Sequence, residues 1–118
     1  MGTLASTRRI AVTGAGGGIG AAIVARLLQE GADVIAIDLK GLDSLPGDPR
    51  PIDLVTSAGI VEDDVAAEDM PIEQFDAVYA VNIRGVFIAC QTFGRELLAR
   101  GGGAIVNIAS MSGNAIVN

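Results

Sequence analysis

The stretch Thr13 to Gly20, TGAGGGIG, constrains this chain more than any other part of it. It follows a short apolar run, RIAVT at 9–13. It precedes IGAAIVARLLQEG, in which Ile19, Ile23 and Leu27 recur at helical spacing and Gly31 supplies a helix stop. A glycine-rich turn between a strand and a helix is the context that a dinucleotide-binding loop requires. Glycines let the backbone turn tightly and approach a pyrophosphate, while the helix N-terminus offers N–H groups and the positive end of its dipole. Reading GxGxxG from Gly14 fails, because its last position is Ile19; reading it from Gly16 puts Ala21 there, which the motif tolerates. The register TGxxxGxG fits completely through Gly14, Gly18 and Gly20. A P-loop is excluded because no Gly-Lys-Ser/Thr follows.

The rest of the chain alternates in the same way. ADVIAIDL predicts a strand at 33–38, apolar enough to be buried on both faces of a parallel sheet. Residues 39–51 hold three Pro and two Gly and read as loop. PIDLVTSAG predicts a strand at 52–56, and IVEDDVAAEDM reads as an acidic loop with a helical turn. Pro71 opens a long helical pattern over 71–99, with a bend near Gly85, and GAIVNIAS predicts a strand at 103–109. This order implies an α/β, Rossmann-like three-layer fold with a parallel sheet of about four strands. At 118 residues the chain reads as a single domain, 1–118.

Asp38 closes the second strand, 18 residues after Gly20. A carboxylate there accepts hydrogen bonds from both adenosine-ribose hydroxyls and repels a 2′-phosphate. No Arg or Lys stands in the glycine loop, so the pattern favours NAD over NADP, with Lys40 pulling slightly the other way. Asp is also a common turn former at strand ends, which is the plain alternative.

Composition excludes several classes. The net charge is −6 and the pI near 4.3, so no basic surface for nucleic acid is present. No apolar run reaches the roughly 18 residues of a membrane span. The one cysteine, Cys90, falls in an apolar helical stretch and reads as a small buried hydrophobe, consistent with a reducing cytoplasm. There is no His, and the only Tyr and Lys are Tyr79 and Lys40.

Four motifs in order then resemble the short-chain dehydrogenase/reductase family: TGAGGGIG its cofactor loop, TSAG at Thr56–Gly59 its NNAG strand motif, VNIRGVF the helix segment of its active-site Asn, and GGGAIVNIASMSG the strand that delivers its catalytic Ser. The resemblance implies hydride transfer between NAD and a secondary alcohol or ketone. It assigns Gly14, Gly18, Ile19, Gly20 and Asp38 to the cofactor, with Ala58 and Gly59 passing near its adenosine half. It assigns Asn82 and Ser110 to the active site: Ser110 as hydrogen-bond donor to the substrate oxygen, Asn82 as anchor of a proton-relay water. Without the resemblance, Asn82 reads equally as the partner of a backbone group at a helix irregularity, and Ser110 as a strand-end turn residue. Tyr79, in mid-helix, reads as a packing or interface residue.

The chain departs from the family pattern twice. The family's Tyr-x-x-x-Lys would fall past Asn118, and Tyr79 is followed four residues later by Ile83. Only 17 residues separate Asp38 from TSAG, too few for the family's helix, strand and helix. PIDLVTS is therefore either strand three, with Asp53 in the family's adenine-contacting position, or strand four itself. The expectation is a domain incomplete relative to the family, inactive alone, with an exposed sheet edge that a homo-oligomer would cover. A non-catalytic dinucleotide-binding module or a truncated relic is the alternative. A methyltransferase fits less well, since its loop follows an acidic residue and Val12-Thr13 precede Gly14 here.

Overall fold

The computed structural model describes residues 8–38, 52–61 and 63–110. The stretch 39–51, which includes Lys40, and the closing MSGNAIVN, 111–118, lie outside them. Four short strands form one parallel sheet: β1 (Arg9–Thr13), β2 (Asp33–Ile37), β3 (Ile52–Thr56) and β4 (Ile105–Asn107). Their spatial order is β2-β1-β3-β4. The helices are α1 (Gly18–Gln29), α2 (Ile72–Tyr79) and α3 (Val86–Ala99), with a 3₁₀ turn at Ala67–Asp69.

Strand order answers the question left open by PIDLVTS. In a doubly wound sheet the third strand lies outside the second, and the fourth lies beside the first. β3 pairs with β1, in the register Ile10↔Asp53 and Thr13↔Thr56, so it stands in the place of the fourth strand. This overturns the reading of Asp53 as the adenine-contacting residue. Asp53 lies at the N-terminal end of β3, where Arg8 Nη1 donates to its Oδ2 at 2.6 Å and Ala104 N to its Oδ1 at 2.7 Å. The glycine loop is at the other end of the sheet. Asp53 fastens the lower ends of the strands.

Alternation along each strand sorts the layers. Ile10 and Val12 share one face and form a core with Ala32, against which Ile23, Val24 and Leu27 of α1 pack. Leu54 and Thr56 point to the other face, where the Cys90 thiol of α3 donates to Asn107 Oδ1 at 3.5 Å. α1 and α3 therefore cover opposite faces, and the three layers predicted from the alternation are present. Leu54 and Val12 are the largest fully buried side chains; burying each contributes about 1.5–3 kcal/mol. Cys90 is half-buried and hydrogen-bonded, not the fully buried hydrophobe expected, because the polar end of β4 faces it.

The predicted long helix is continuous but changes winding. Between α2 and α3, Ala80–Gly85 is a π-helical segment. The expected bend near Gly85 is this wider turn, which holds Asn82. β4 is shorter than predicted, three residues in place of seven. Tyr79 stacks on Phe75, with ring centroids 6.4 Å apart and planes at 20°, in keeping with a packing role.

Candidate functional site

The site forms where the C-terminal ends of β1, β2 and β3 meet. β1 lies between β2 and β3, where the order of strands across the sheet reverses, which opens a crevice above it. The crevice is a cleft of about 380 Å³ whose lining includes Gly14, Gly17, Asp38, Ala58, Gly59 and Val81.

The glycine register has a steric cause at two positions. Gly14 has φ of +66°, and a Cβ there would stand 2.6 Å from Ala58 N. Gly20 is buried in the first turn of α1, and a Cβ there would collide with Gly14 O. The loop thus folds back on itself and lies against the turn after β3, which no side chain at 14 or 20 would permit. α1 starts with Gly17 as its N-cap, with no side-chain cap and no acidic residue in its first turn. Its N–H groups and dipole are left for an anion.

Asp38 sits at the mouth of this loop. Its Oδ2 accepts from Gly16 N at 2.8 Å, so the carboxylate is held over the glycine turn. Thr13, at the end of β1, ties the next turn down: its Oγ1 accepts from Ser57 N at 3.2 Å and Ala58 N at 3.4 Å. Asn82 secures the loop further along. Ile60 N donates to Asn82 Oδ1 at 2.8 Å, and Asn82 Nδ2 donates to Ile60 O at 2.6 Å. Asn82 thus satisfies a backbone pair from a helix irregularity, as its plain reading expects, and in doing so shapes the wall of the cleft.

The structure brings Gly14, Asp38, Ala58 and Gly59 together on the cleft. Gly18 opens α1, and Ile19 turns an exposed side chain to the outer face of that helix, so these two positions offer the helix start backbone alone. Ser110 is exposed, three residues beyond β4, on the same end of the sheet. Motif reading includes Thr13 in TGAGGGIG and Val81 in VNIRGVF without giving either a role of its own, and it does not reach Ile60, whose place rests on its contact with Asn82 across the chain.

Among the described residues the site combines a sterically constrained glycine turn, a helix start without a side-chain cap, and a carboxylate hydrogen-bonded to the turn. No described helix is long and apolar enough to cross a membrane, and the described residues contain no cluster of potential metal ligands.

Comparison with known proteins points the same way. Residues 49–118 match the family model described as short chain dehydrogenase. The chain is 32% identical to D-threitol dehydrogenase of Mycolicibacterium smegmatis over 135 aligned positions, covering 86% of this chain and 52% of that protein. It is 40% identical to galactitol 2-dehydrogenase (L-tagatose-forming) of Cereibacter sphaeroides, over 83% of this chain and 38% of that one. The crystal structure of gox2181 superposes with a TM-score of 0.81 at 30% identity, over 93% of this chain and 56% of that one. The chain thus spans about half the length, or less, of the curated relatives it matches.

Proposed function

Since this chain belongs to the short-chain dehydrogenase family, we propose that it provides the NAD-binding half of an oxidoreductase acting between a secondary alcohol and its ketone. The observation that carries this reading is the placement of Asp38, whose carboxylate stands over the glycine turn at 2.8 Å from Gly16 N. Set there, it accepts hydrogen bonds from ribose hydroxyls and disfavours a 2′-phosphate, which supports NAD over NADP.

Gly14, Gly18, Ile19 and Gly20 hold the pyrophosphate through backbone N–H groups and the helix dipole. Ala58, pressed against Gly14, and Gly59 beside it in the chain form the floor beneath the adenosine half. The nicotinamide, when bound, supplies or accepts the hydride. Asn82 holds the loop at Ile60 in place, and Ser110 donates a hydrogen bond to the substrate oxygen, where negative charge develops. The polyol names of the two relatives, D-threitol and galactitol, support a polyol substrate.

A family acid/base pair, Tyr-x-x-x-Lys, is not among these 118 residues. The one Tyr of the sequence, Tyr79, has Ile83 where the Lys would stand. The polypeptide is therefore expected to bind NAD without turning it over. A small-molecule alcohol or carbonyl partner and a homo-oligomer covering the exposed sheet edge complete the proposal, with no nucleic-acid partner, which the acidic charge supports, and a cytoplasmic location, with which the single Cys90 is consistent.

Calorimetric titration tests it. NAD is expected to bind more tightly than NADP, and S-adenosylmethionine not to bind. Binding of S-adenosylmethionine alone, or of neither nicotinamide dinucleotide, refutes the proposal. Steady NAD-linked oxidation of D-threitol by the 118-residue polypeptide overturns the expectation of inactivity.

A further inference from the structure

A second cavity, of about 260 Å³, adjoins the cleft, between the C-terminal ends of β1 and β3 and the inner side of the long helix. Its walls include Thr13, Thr56 and Ala58 from the strand ends, and Val81, Val86 and Ala89 from the π segment and α3. No side chain that lines it is larger than valine, so helix and sheet leave a gap here. Protein interiors pack as densely as organic crystals, and a gap of this size in a chain of 118 residues is unusual. Ala80 and Gly85 also line it and are exposed, which gives it a mouth at the π segment. Thr13, Ala58 and Val81 border the cleft as well, so cleft and cavity share a wall.

We infer that this cavity is a second binding site, one for a small uncharged aromatic molecule with a single hydrogen-bond acceptor. Its lining has no charged side chain, and an ion buried there would go unpaired. An ordered water needs about two to four polar partners, and this wall is mostly apolar. Its polar side chains are two hydroxyls. Thr56 Oγ1 donates to Asn107 Oδ1 at 2.5 Å, so its hydrogen is already committed. Thr13 Oγ1 accepts from Ser57 N and Ala58 N, which fills both lone pairs and leaves its own hydrogen to donate. Among the described residues no acceptor is bonded to that hydrogen. The wall thus offers one donor within an apolar surround. An apolar cavity of about 150 Å³ takes up benzene, so this one has room for a ring and a short substituent. A slot between sheet and helix suits a flat ring, and the substituent's oxygen accepts from Thr13. The site is distinct from the cleft and does not rest on what the cleft binds.

Titration of the isotopically labelled 118-residue chain with anisole, followed by NMR, tests it. Anisole carries an ether oxygen as acceptor and is neither an alcohol nor a carbonyl compound. A dissociation constant on the order of 1 mM or below is expected. Shifts are expected at Val86 and Ala89, which line the cavity and not the cleft, and not at Gly17 and Asp38, which line the cleft and not the cavity. Ala89→Leu fills the cavity and is expected to weaken binding about tenfold or more. The smaller Ala89→Val, which the fold accommodates more readily, is expected to weaken it about threefold. Ethylbenzene has the shape of anisole without the acceptor. Thr13→Val removes the donor, and the preference for anisole over ethylbenzene is expected to fall about fivefold in it. Circular dichroism verifies the folding of each variant. Shifts confined to the cleft, no binding up to the solubility limit of anisole, binding unmoved by either change at Ala89, or a preference unchanged in Thr13→Val overturns the inference.

Discussion

The side chain of Asn82 closes a two-point clamp on the backbone of Ile60, accepting from its N–H at 2.8 Å and donating to its carbonyl at 2.6 Å. The π segment makes this possible by widening the helix where Asn82 projects. The clamp joins the long helix to the turn after β3, and so to Ala58 and Gly59 on the floor of the cleft. Asn82→Ala removes both bonds. Each is worth about 0.5–1.5 kcal/mol when fully formed, and Ile60 lies partly in water, so the loss of global stability is about 1 kcal/mol. Locally the effect is sharper: hydrogen exchange at the Ile60 amide is expected to quicken about tenfold, with weaker NAD binding. Unchanged exchange at Ile60 would show that the loop holds its shape without the clamp.

Asp38→Ala is expected to lower affinity for NAD about tenfold, the equivalent of roughly 1.4 kcal/mol, while affinity for NADP changes less. The ratio of the two dissociation constants is the quantity to measure by calorimetry. An unchanged ratio would mean that the carboxylate over Gly16 plays no part in selecting the cofactor.

Two glycines should respond in opposite senses. Gly14→Ala forces a Cβ towards Ala58 N at 2.6 Å on a residue with φ of +66°. Left-handed backbone costs about 1–2 kcal/mol and the overlap about 1–3 kcal/mol more, so chemical denaturation should register a loss of about 2–5 kcal/mol. Gly94 lies inside α3, and a Cβ there would meet nothing within 4 Å. Gly94→Ala is expected to stabilise the chain by about 0.5–1 kcal/mol.

Leu54 and Leu98 separate core from surface. Leu54 is fully buried, and Leu54→Ala is expected to cost about 2–5 kcal/mol in urea unfolding, through lost transfer energy and the cavity left behind. Leu98 is 81% exposed, and Leu98→Ala should change stability by no more than about 0.5 kcal/mol. Equal effects would show that the helix face at Leu98 is covered by another molecule in solution.

Much of the arrangement is legible in the residues. β1 and β3 fall where the apolar runs put them, and the glycine register through Gly14 and Gly20 has the steric cause that a tight loop implies. The placement of Asp38 beside that loop also follows from local order, since it ends the strand that succeeds α1. β4 is shorter than its apolar run at both ends: its pairing with β3 runs only from Leu54↔Ile105 to Thr56↔Asn107. The π segment leaves only a faint trace, Gly85 within a helical pattern, because a change of winding is set by contacts such as Asn82 with Ile60.

What the amino-acid sequence determined alone is local: the alternation of strand and helix, the glycine turn with its carboxylate, and the absence of a Tyr-x-x-x-Lys pair. The tertiary structure decided that Ile52–Thr56 lies beside β1 and not beside β2, which moved Asp53 from a cofactor role to a brace between Arg8 and Ala104 at the far end of the sheet. The physical reason is that an apolar strand buries equally well beside either neighbour. Its place is settled by hydrogen bonds and side-chain contacts between residues more than 40 positions apart, which no local pattern records.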